Sequence, residues 1–382
     1  MWQIVILTPV CSFEKLKQLS IMLINWLKYI KLKKSKSKEI REKYAHNHLL
    51  NNFHLNDDLN NKIKTFWEKY GIKINTLWCR AWISVNGIED YRYIPEEIFY
   101  TFIEPKLNRK DLFIAYVDKN NYDKLFADSG TPVTILRNIN GKYYDRNYER
   151  IKSSHVSDHL KKYLGDYIVK PSIDSSGAKN VFKIQIDEQK IYTNGQLITI
   201  ESIEEILPRD FLVQEFVDQH TVLKNIYPHS LNTFRVVTLR IDDDIYAVKS
   251  IVKFGDRGSY VDYTEERGGY HCGVKPEGTL NQFAIDLYYN KYRTHPYTGA
   301  AFGDVHIPQF SFLLNFAKDL HSQLLYYDMA SWDLAINKNG EPVLIEVNLV
   351  YQGIGFIQIN NGPLFGDYTE DILDRCIKRK RI

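Results

Sequence analysis

The sequence predicts an α+β fold built on antiparallel hairpins, and three observations predict it. From about Asp166 onward, apolar or alternating runs of strand length recur, bounded by turn residues. Two junctions between such runs are short and polar, Asp242-Asp243-Asp244 and Lys338-Asn339-Gly340-Glu341, of the kind that reverses a chain into a hairpin. The first 75 residues, by contrast, carry many Lys, Glu and Asn and few strand formers, which reads as helix.

A chain of 382 residues with 44% hydrophobic content has enough material for two or three domains with buried cores. Its 27 tyrosines fit polar clefts, because each ring packs while its hydroxyl stays wet. A net charge of +3 is too mild for a nucleic-acid partner, which calls for a strong, clustered basic footprint. Cys11, Cys79, Cys272 and Cys376 are far apart and form no CxxC pair. No disulfide framework or zinc site is expected, and the compartment is reducing, hence cytoplasmic.

Met1 to Val10 is apolar, yet no Lys or Arg precedes it, so it lacks the start of a signal peptide. Leu19 to Leu32 is apolar too, but it is flanked and interrupted by Lys15, Lys17, Lys28, Lys31, Lys33, Lys34, Lys36 and Lys38. That is too short and too charged for a bilayer span of ~20 apolar residues. Two readings stay open: a basic amphipathic helix on the anionic inner face of the membrane, with contact through residues 15–40, or a helix packed on the body with a solvated lysine tail.

Further on, Asn86-Gly87 signals a turn, Pro95-Glu96-Glu97 a helix start, and Leu112 to Val117 a buried strand. Asp128 to Pro132 reads as a turn before a short strand, Val133–Leu136. Strands are then expected at Tyr167–Pro171, Val181–Ile186, Phe211–Val217, Phe234–Ile241, Ile245–Phe254, Trp332–Ile336 and Val343–Val347. Helices are expected at Ile203–Leu207, Gln309–Tyr327 and Thr369–Lys378.

The last hairpin carries the strongest chemical signal. With Lys338–Glu341 as its loop, Asp333 lies opposite Glu346, and Asn348 shares the face of Glu346. Two opposed carboxylates among apolar neighbours repel each other. A magnesium ion, which takes hard oxygen ligands including a carboxamide, removes the conflict. An acidic, exposed surface hairpin is the plain alternative.

With the three aspartates Asp242–Asp244 as the earlier loop, Arg235 shares a face with Lys249, Ile251 and Lys253. Cations set among apolar residues call for an anionic partner. A two-residue loop would reverse the assignment. Lys170 ends an upstream strand and is followed by the small-residue loop Ser175-Ser176-Gly177 and a strand bearing Lys183. Backbone N–H groups of such a loop can wrap phosphate oxygens. No GxxxxGK[ST] or G-x-G-x-x-G motif is present, against P-loop and Rossmann readings.

In this order, the elements resemble the ATP-grasp superfamily: Val169-Lys170-Pro171, the small-residue loop, Val213-Gln214-Glu215-Phe216-Val217, the Arg-bearing strand Asn232 to Arg240, then Asp333 with Glu346-Val347-Asn348. More narrowly, Ser230 to Leu239 and Gln358 to Gly366 resemble the sugar-transfer-associated ATP-grasp family linked to polysaccharide biosynthesis. Asn86 to Pro95 and Asp118-Lys119-Asn120 fit it as well. The likeness covers roughly residues 75 to 370.

The resemblance implies an ATP-grasp fold, two α+β subdomains with antiparallel sheets gripping ATP. It implies a lid subdomain over 151–220 and a catalytic subdomain over 221–382, after a basic helical segment (1–75) and a small α/β domain (76–150). It implies ATP and Mg²⁺ as cofactors. Lys170, Lys183 and the loop Ser175, Ser176, Gly177 would hold phosphates. Gln214, Glu215, Phe216 and Val217 would hold adenine, and Asp218 ribose. Arg235, with Lys249 and Lys253 on its face, would stabilise the transferring phosphoryl group. Asp333, Glu346 and Asn348 would hold Mg²⁺. The phosphate loop has one glycine where many relatives carry several.

The implied reaction is that of a carboxylate–amine ligase, joining a carboxylated sugar or glycan to an amino acid-like amine. The loop Arg257 to His271 is the substrate candidate, through Arg257, Tyr260, Arg267, Gly268, Gly269, Tyr270 and His271, because its rings can stack on sugars and its arginines can clamp a carboxylate. Arg293 and His295 are weaker candidates. Two other classes stay open. One is a kinase on the same scaffold, with His271 or Asp262 as base. The other is a non-catalytic nucleotide- or glycan-binding protein. Nothing in the sequence sets an oligomeric state.

Overall fold

The computed structural model describes residues 10–126, 128, 130–173, 176–188, 190–263 and 268–377; the side chains of residues 10–19, 21, 22 and 176 lie outside the description. Two antiparallel sheets dominate. The first contains β1 (Thr134–Ile139), β2 (Lys142–Tyr144), β3 (Arg150–Ile151), β4 (Gly165–Pro171), β5 (Phe182–Ile186), β6 (Ile191–Thr193), β7 (Gln196–Ile198) and β8 (Phe211–Glu215), in the order β3-β2-β1-β8-β4-β5-β6-β7. The second contains β9 (Phe234–Ile241), β10 (Asp244–Phe254), β11 (Tyr270–Val274), β12 (Leu280–Ile285), β13 (Lys291–Tyr292), β14 (Met329–Ile336) and β15 (Pro342–Asn348), in the order β13-β12-β11-β10-β9-β14-β15.

The alternation along β9 and β14 explains how the second sheet is covered. Phe234, Val236, Trp332 and Leu334 pack into one core, beneath the helix Phe310–Ser322. Val237, Leu239 and Met329 point the other way, into a core shared with the N-terminal helices. Arg235 lies on that second face by the period of two, and there the helices give way to a cleft. The first sheet has its own core, with Val169, Ile184, Phe211 and Val213 packed against Ile203 of the helix Ile200–Ile206.

Both functional hairpins differ from expectation in the loop and agree beyond it. At β9–β10 the loop is two residues, since Ile241 pairs with Asp244, but the register shifts by one between Ala247 and Lys249. This bulge returns Arg235 to its place opposite Ile251. At β14–β15 the loop is five residues. The Asn337 carboxamide oxygen accepts from the backbone N–H of Asn339 and Glu341, each at 3.0 Å, and Gly340 adopts φ +86°. Ile336 therefore pairs with Pro342, and a shift at Ile345 restores Asp333 opposite Glu346.

Two expectations are corrected. Leu112 to Val117 is no strand: Phe113–Val117 is one short helix, because a brief apolar run does not distinguish helix from strand. Among the described residues between 76 and 133 there is no strand, only the isolated bridge Asn108–Tyr327, and β1 to β3 instead extend the first sheet through β1–β8 pairing. The N-terminal segment is one long helix, Val10–His46. Among its described side chains Leu23, Ile24, Trp26 and Leu27 are all at least half exposed, and its contacts with the body run through Tyr29, Leu32, Ile40 and Tyr44.

Candidate active site

A cleft of about 860 Å³ opens between the two sheets, within the range of ligand sites. Its floor is a row of cross-strand neighbours: Glu346 on β15, Asp333 on β14 and Arg235 on β9. One row further along, Lys253 on β10 pairs with His271 on β11. The roof is Ile168 and Lys170 of β4, with Gln214 of β8.

Charge is dense here. Arg235 grips Asp333 bidentately at 2.9 and 2.8 Å, and the Lys253 ammonium reaches the same carboxylate at 3.1 Å and Asp262 at 3.4 Å. Asp262 also accepts from the Thr233 hydroxyl. Burial alone would push the Asp333 carboxyl up, but the two cations overcome it and hold it well below the usual range. Lys119, 3% exposed, pairs with Glu346 at 2.8 Å, while its backbone N–H bonds Ser172 just past β4. Across the cleft, burial pushes the Lys170 ammonium down to about 7, and the neighbouring Lys119 charge adds to the effect. Among the described residues Lys170 makes no ion pair, and it is 8% exposed.

His271 is stacked on Phe356 with ring centroids 4.0 Å apart and planes 13° apart. Burial, then the Lys253 and Arg235 charges, hold its imidazole well below the ordinary value, so it is neutral. Among the described residues its buried Nδ1 has no hydrogen-bond partner.

Of the expected site residues, the cleft collects Lys170, Gly177, Gln214, Glu215, Phe216, Val217, Arg235, Lys253, Tyr260, His271, Asp333, Glu346 and Asn348. Gly177 has φ +64°, a conformation that favours glycine. The Tyr260 hydroxyl donates to Val181 O at 2.7 Å, tying the second sheet's loop to the first sheet. Lys183 sits at the margin, paired with Asp166 at 2.6 Å and lying over the Phe216 ring.

Other expected residues are not brought there. Lys249 shares the Arg235 face but donates to Asn361 O at 3.0 Å, away from the cleft. Asp218 turns toward Lys224 and Lys338. The Arg257 side chain is exposed beside Asp256. Tyr270 packs against His295 and Tyr292, and His295 bonds Gly255 O within that core. Gly269 is set by packing: a Cβ there would stand 2.4 Å from Asp262 O. Gly268 has φ +70° and lies beside Leu287. Ser175 and Arg267 lie outside the described residues, as does the Ser176 side chain. Reasoning from sequence gave Lys119 and Phe356 no role. Lys119 sits in a polar turn whose burial no local pattern marks.

The donor set fits a magnesium ion in chemistry. Glu346 gives one oxygen to Lys119, and the Asn348 amide N–H contacts Ser331 O at 3.4 Å, which leaves carboxylate and carboxamide oxygens for a hard cation. Both Asp333 oxygens are engaged by cations. Among the described residues no group of three or more His, Cys, Asp or Glu converges, so oxygens of another molecule would complete the shell.

Two antiparallel sheets closing on a cleft of buried cations and opposed carboxylates define an ATP-grasp arrangement. The profile described as sugar-transfer associated ATP-grasp matches residues 100–372, well over half of the chain, and the chain belongs to that family. Among solved structures it is similar to the L-amino acid ligase from Bacillus licheniformis (15% identity, 69% of this chain and 48% of that one, TM-score 0.37). It is likewise similar to the VanG D-Ala:D-Ser ligase from Enterococcus faecalis (16%, 68% and 60%, TM-score 0.39) and to D-alanyl-alanine synthetase A from Vibrio cholerae (14%, 68% and 63%, TM-score 0.38). The chain spans between about half and two thirds of the length of these structures. Comparison with curated proteins returned no match.

Proposed function

We propose that this chain is a magnesium- and ATP-dependent ligase that activates a carboxylate as an acyl phosphate and joins it to an amine. The reading extends to modification of surface or capsular polysaccharide, with a sugar uronate and an amino acid-like partner, in the cytoplasm at the inner face of the membrane. The observation that carries it is the row Glu346–Asp333–Arg235, with Lys253 beside it and Lys170 opposite. Opposed carboxylates next to converging cations suit a substrate that brings both phosphate charge and a metal.

A carboxylate oxygen of the substrate attacks the γ-phosphorus and ADP leaves; the amine then attacks the acyl carbon, phosphate leaves, and the amine gives up a proton. The chain's part is placement and charge. Lys170 and Gly177 hold phosphates beneath the apolar slot of Ile168, Phe216 and Val217, which takes the base. Arg235 and Lys253 sit where negative charge grows on the transferred group. Glu346 and Asn348, with Asp333 beside them, would hold Mg²⁺, whose contribution when bound would be charge neutralisation at phosphate oxygens.

A kinase reading is favoured by one observation, the neutral, buried His271 with its free Nδ1, which could take a proton from a hydroxyl. Trapping separates the two. Mg·ATP, hydroxylamine and a panel of uronic acids and amino acids should give hydroxamate and ADP. A stable phosphorylated product without hydroxamate would make the enzyme a kinase.

The Lys170 environment sets a pH signature. Its pKa is lowered, so the free site loses its charge as pH rises through about 7, and a bound phosphate raises that pKa again. Nucleotide affinity should therefore fall above pH 7, by up to about tenfold per unit, with proton uptake on binding. Lys170→Arg should flatten the profile in calorimetric titrations from pH 7 to 9; an unaltered slope would remove Lys170 from the phosphate site.

Membrane contact rests on the projecting start of the N-terminal helix. Because residues from Tyr29 onward belong to the fold, the informative truncation removes residues 1–28. It should abolish sedimentation with vesicles containing phosphatidylglycerol and leave the far-UV spectrum per residue almost unchanged. Retained sedimentation would exclude this segment.

A further inference from the structure

Two apolar surfaces of this protein are exposed, and a chain of contacts links them. The first is the projecting helix start, where Leu23, Ile24, Trp26 and Leu27 each stand at least 50% exposed and are followed by exposed Lys28, Lys31, Lys34 and Lys38. The second is the mouth of the cleft, where Ile114 is 55% and Tyr351 70% exposed and both line the opening. Leu325 and Tyr326 are exposed as well, at 76% and 51%. Apolar area of this kind, followed along the helix by exposed lysines, matches an anionic bilayer surface.

The link is short. Lys36 of the N-terminal helix lies 5.9 Å from the Tyr100 ring centroid, and Tyr100 lies 5.7 Å from Tyr351. Lys110 lies over Tyr351 at 4.9 Å, and Arg109 over Tyr326 at 5.9 Å. From Leu27 to Lys36 is nine helical residues, ~14 Å. The mouth thus shares the helix's exposed apolar side chains, while Lys110 and Arg109 beside it are paired with Glu104 at 2.5 Å and Asp111 at 2.6 Å.

We infer that the projecting helix and the cleft mouth form one lipid-facing surface, so that the acceptor is an amphiphile drawn from an anionic bilayer, its polar head reaching Asp333 and Glu346 past Tyr351 and Ile114. This rests on the membrane contact proposed above and adds the orientation of the active site and the class of its substrate.

The test uses full-length protein with Cys11→Ser and Cys376→Ser, carrying one added cysteine: Leu27→Cys on the helix, Tyr351→Cys at the mouth, or Leu197→Cys on the far edge of the first sheet, where Leu197 is 60% exposed. Each is labelled with an environment-sensitive dye and mixed with vesicles of phosphatidylcholine and phosphatidylglycerol, with and without doxyl-labelled lipid. Blue shift and doxyl quenching at positions 27 and 351, with none at 197, are expected. A response at 27 alone would overturn the inference and leave membrane contact standing. No response at any position would remove both. Equal responses at all three would mean indiscriminate adsorption. A vesicle-independent shift rising with protein concentration would mean self-association. Either of the last two overturns the inference.

Discussion

Glu346→Gln should lower Mg²⁺-dependent ADP production by about 10²–10³-fold, the usual loss when one pre-organised charge contact of a transition state is removed. The substitution is nearly isosteric, so the position opposite Asp333 stays filled. Lys119 keeps a neutral acceptor in place of a carboxylate. Because Glu346 is 28% exposed, the stability cost should be about 1–2 kcal/mol. A large loss of turnover with a small loss of melting temperature is the signature of a ligand-binding group. Full turnover would remove Glu346 from the metal site.

Asp333→Ala should be the most destabilising single change in the cleft, by about 3–5 kcal/mol in urea unfolding. Asp333 is 4% exposed and neutralises both Arg235 and Lys253; its removal leaves two converging cations with only Asp262 and the Lys119-paired Glu346 nearby. Adding Lys253→Met should recover part of that loss, because the substitutions act on one network. The acid side gives the matching sign. The folded carboxyl is held below its unfolded value, so its contribution is fully present above about pH 4 and is lost only as pH falls through its folded pKa. A cost below 1 kcal/mol would mean that the Arg235–Asp333–Lys253 cluster is not a supporting element of the site.

The two functional hairpins show how much of this was legible in the sequence. Both loop lengths were misread by one residue, and both times a bulge restored the expected partners. The reason is physical. Val236 and Trp332 are fully buried on one face, so slipping the strands there by one would expose them, whereas the loop ends are free to adjust. Arg235, Asp333 and Glu346 were legible through period-two alternation and Lys170 through its place at a strand end before a small-residue loop, and all four line the cleft. Lys249 shows the limit, since it obeys the same alternation yet lies two residues too far along β10, beneath the helix Ile354–Asn361. Lys119, the membership of β1 to β3 in the first sheet, and the His271–Phe356 stack all depend on contacts across long separations, which local patterns do not encode.

The most direct test is a calorimetric titration with a non-hydrolysable ATP analogue, with and without Mg²⁺, for the unaltered chain, Lys170→Met and Glu346→Gln. One site per chain is predicted, tightened by Mg²⁺. Lys170→Met should weaken it at least about tenfold, as loss of a charged phosphate contact requires. Glu346→Gln should erase the Mg²⁺ effect and leave metal-free binding close to that of the unaltered chain. Binding that neither substitution alters would contradict the assignment of this cleft as the Mg·ATP site.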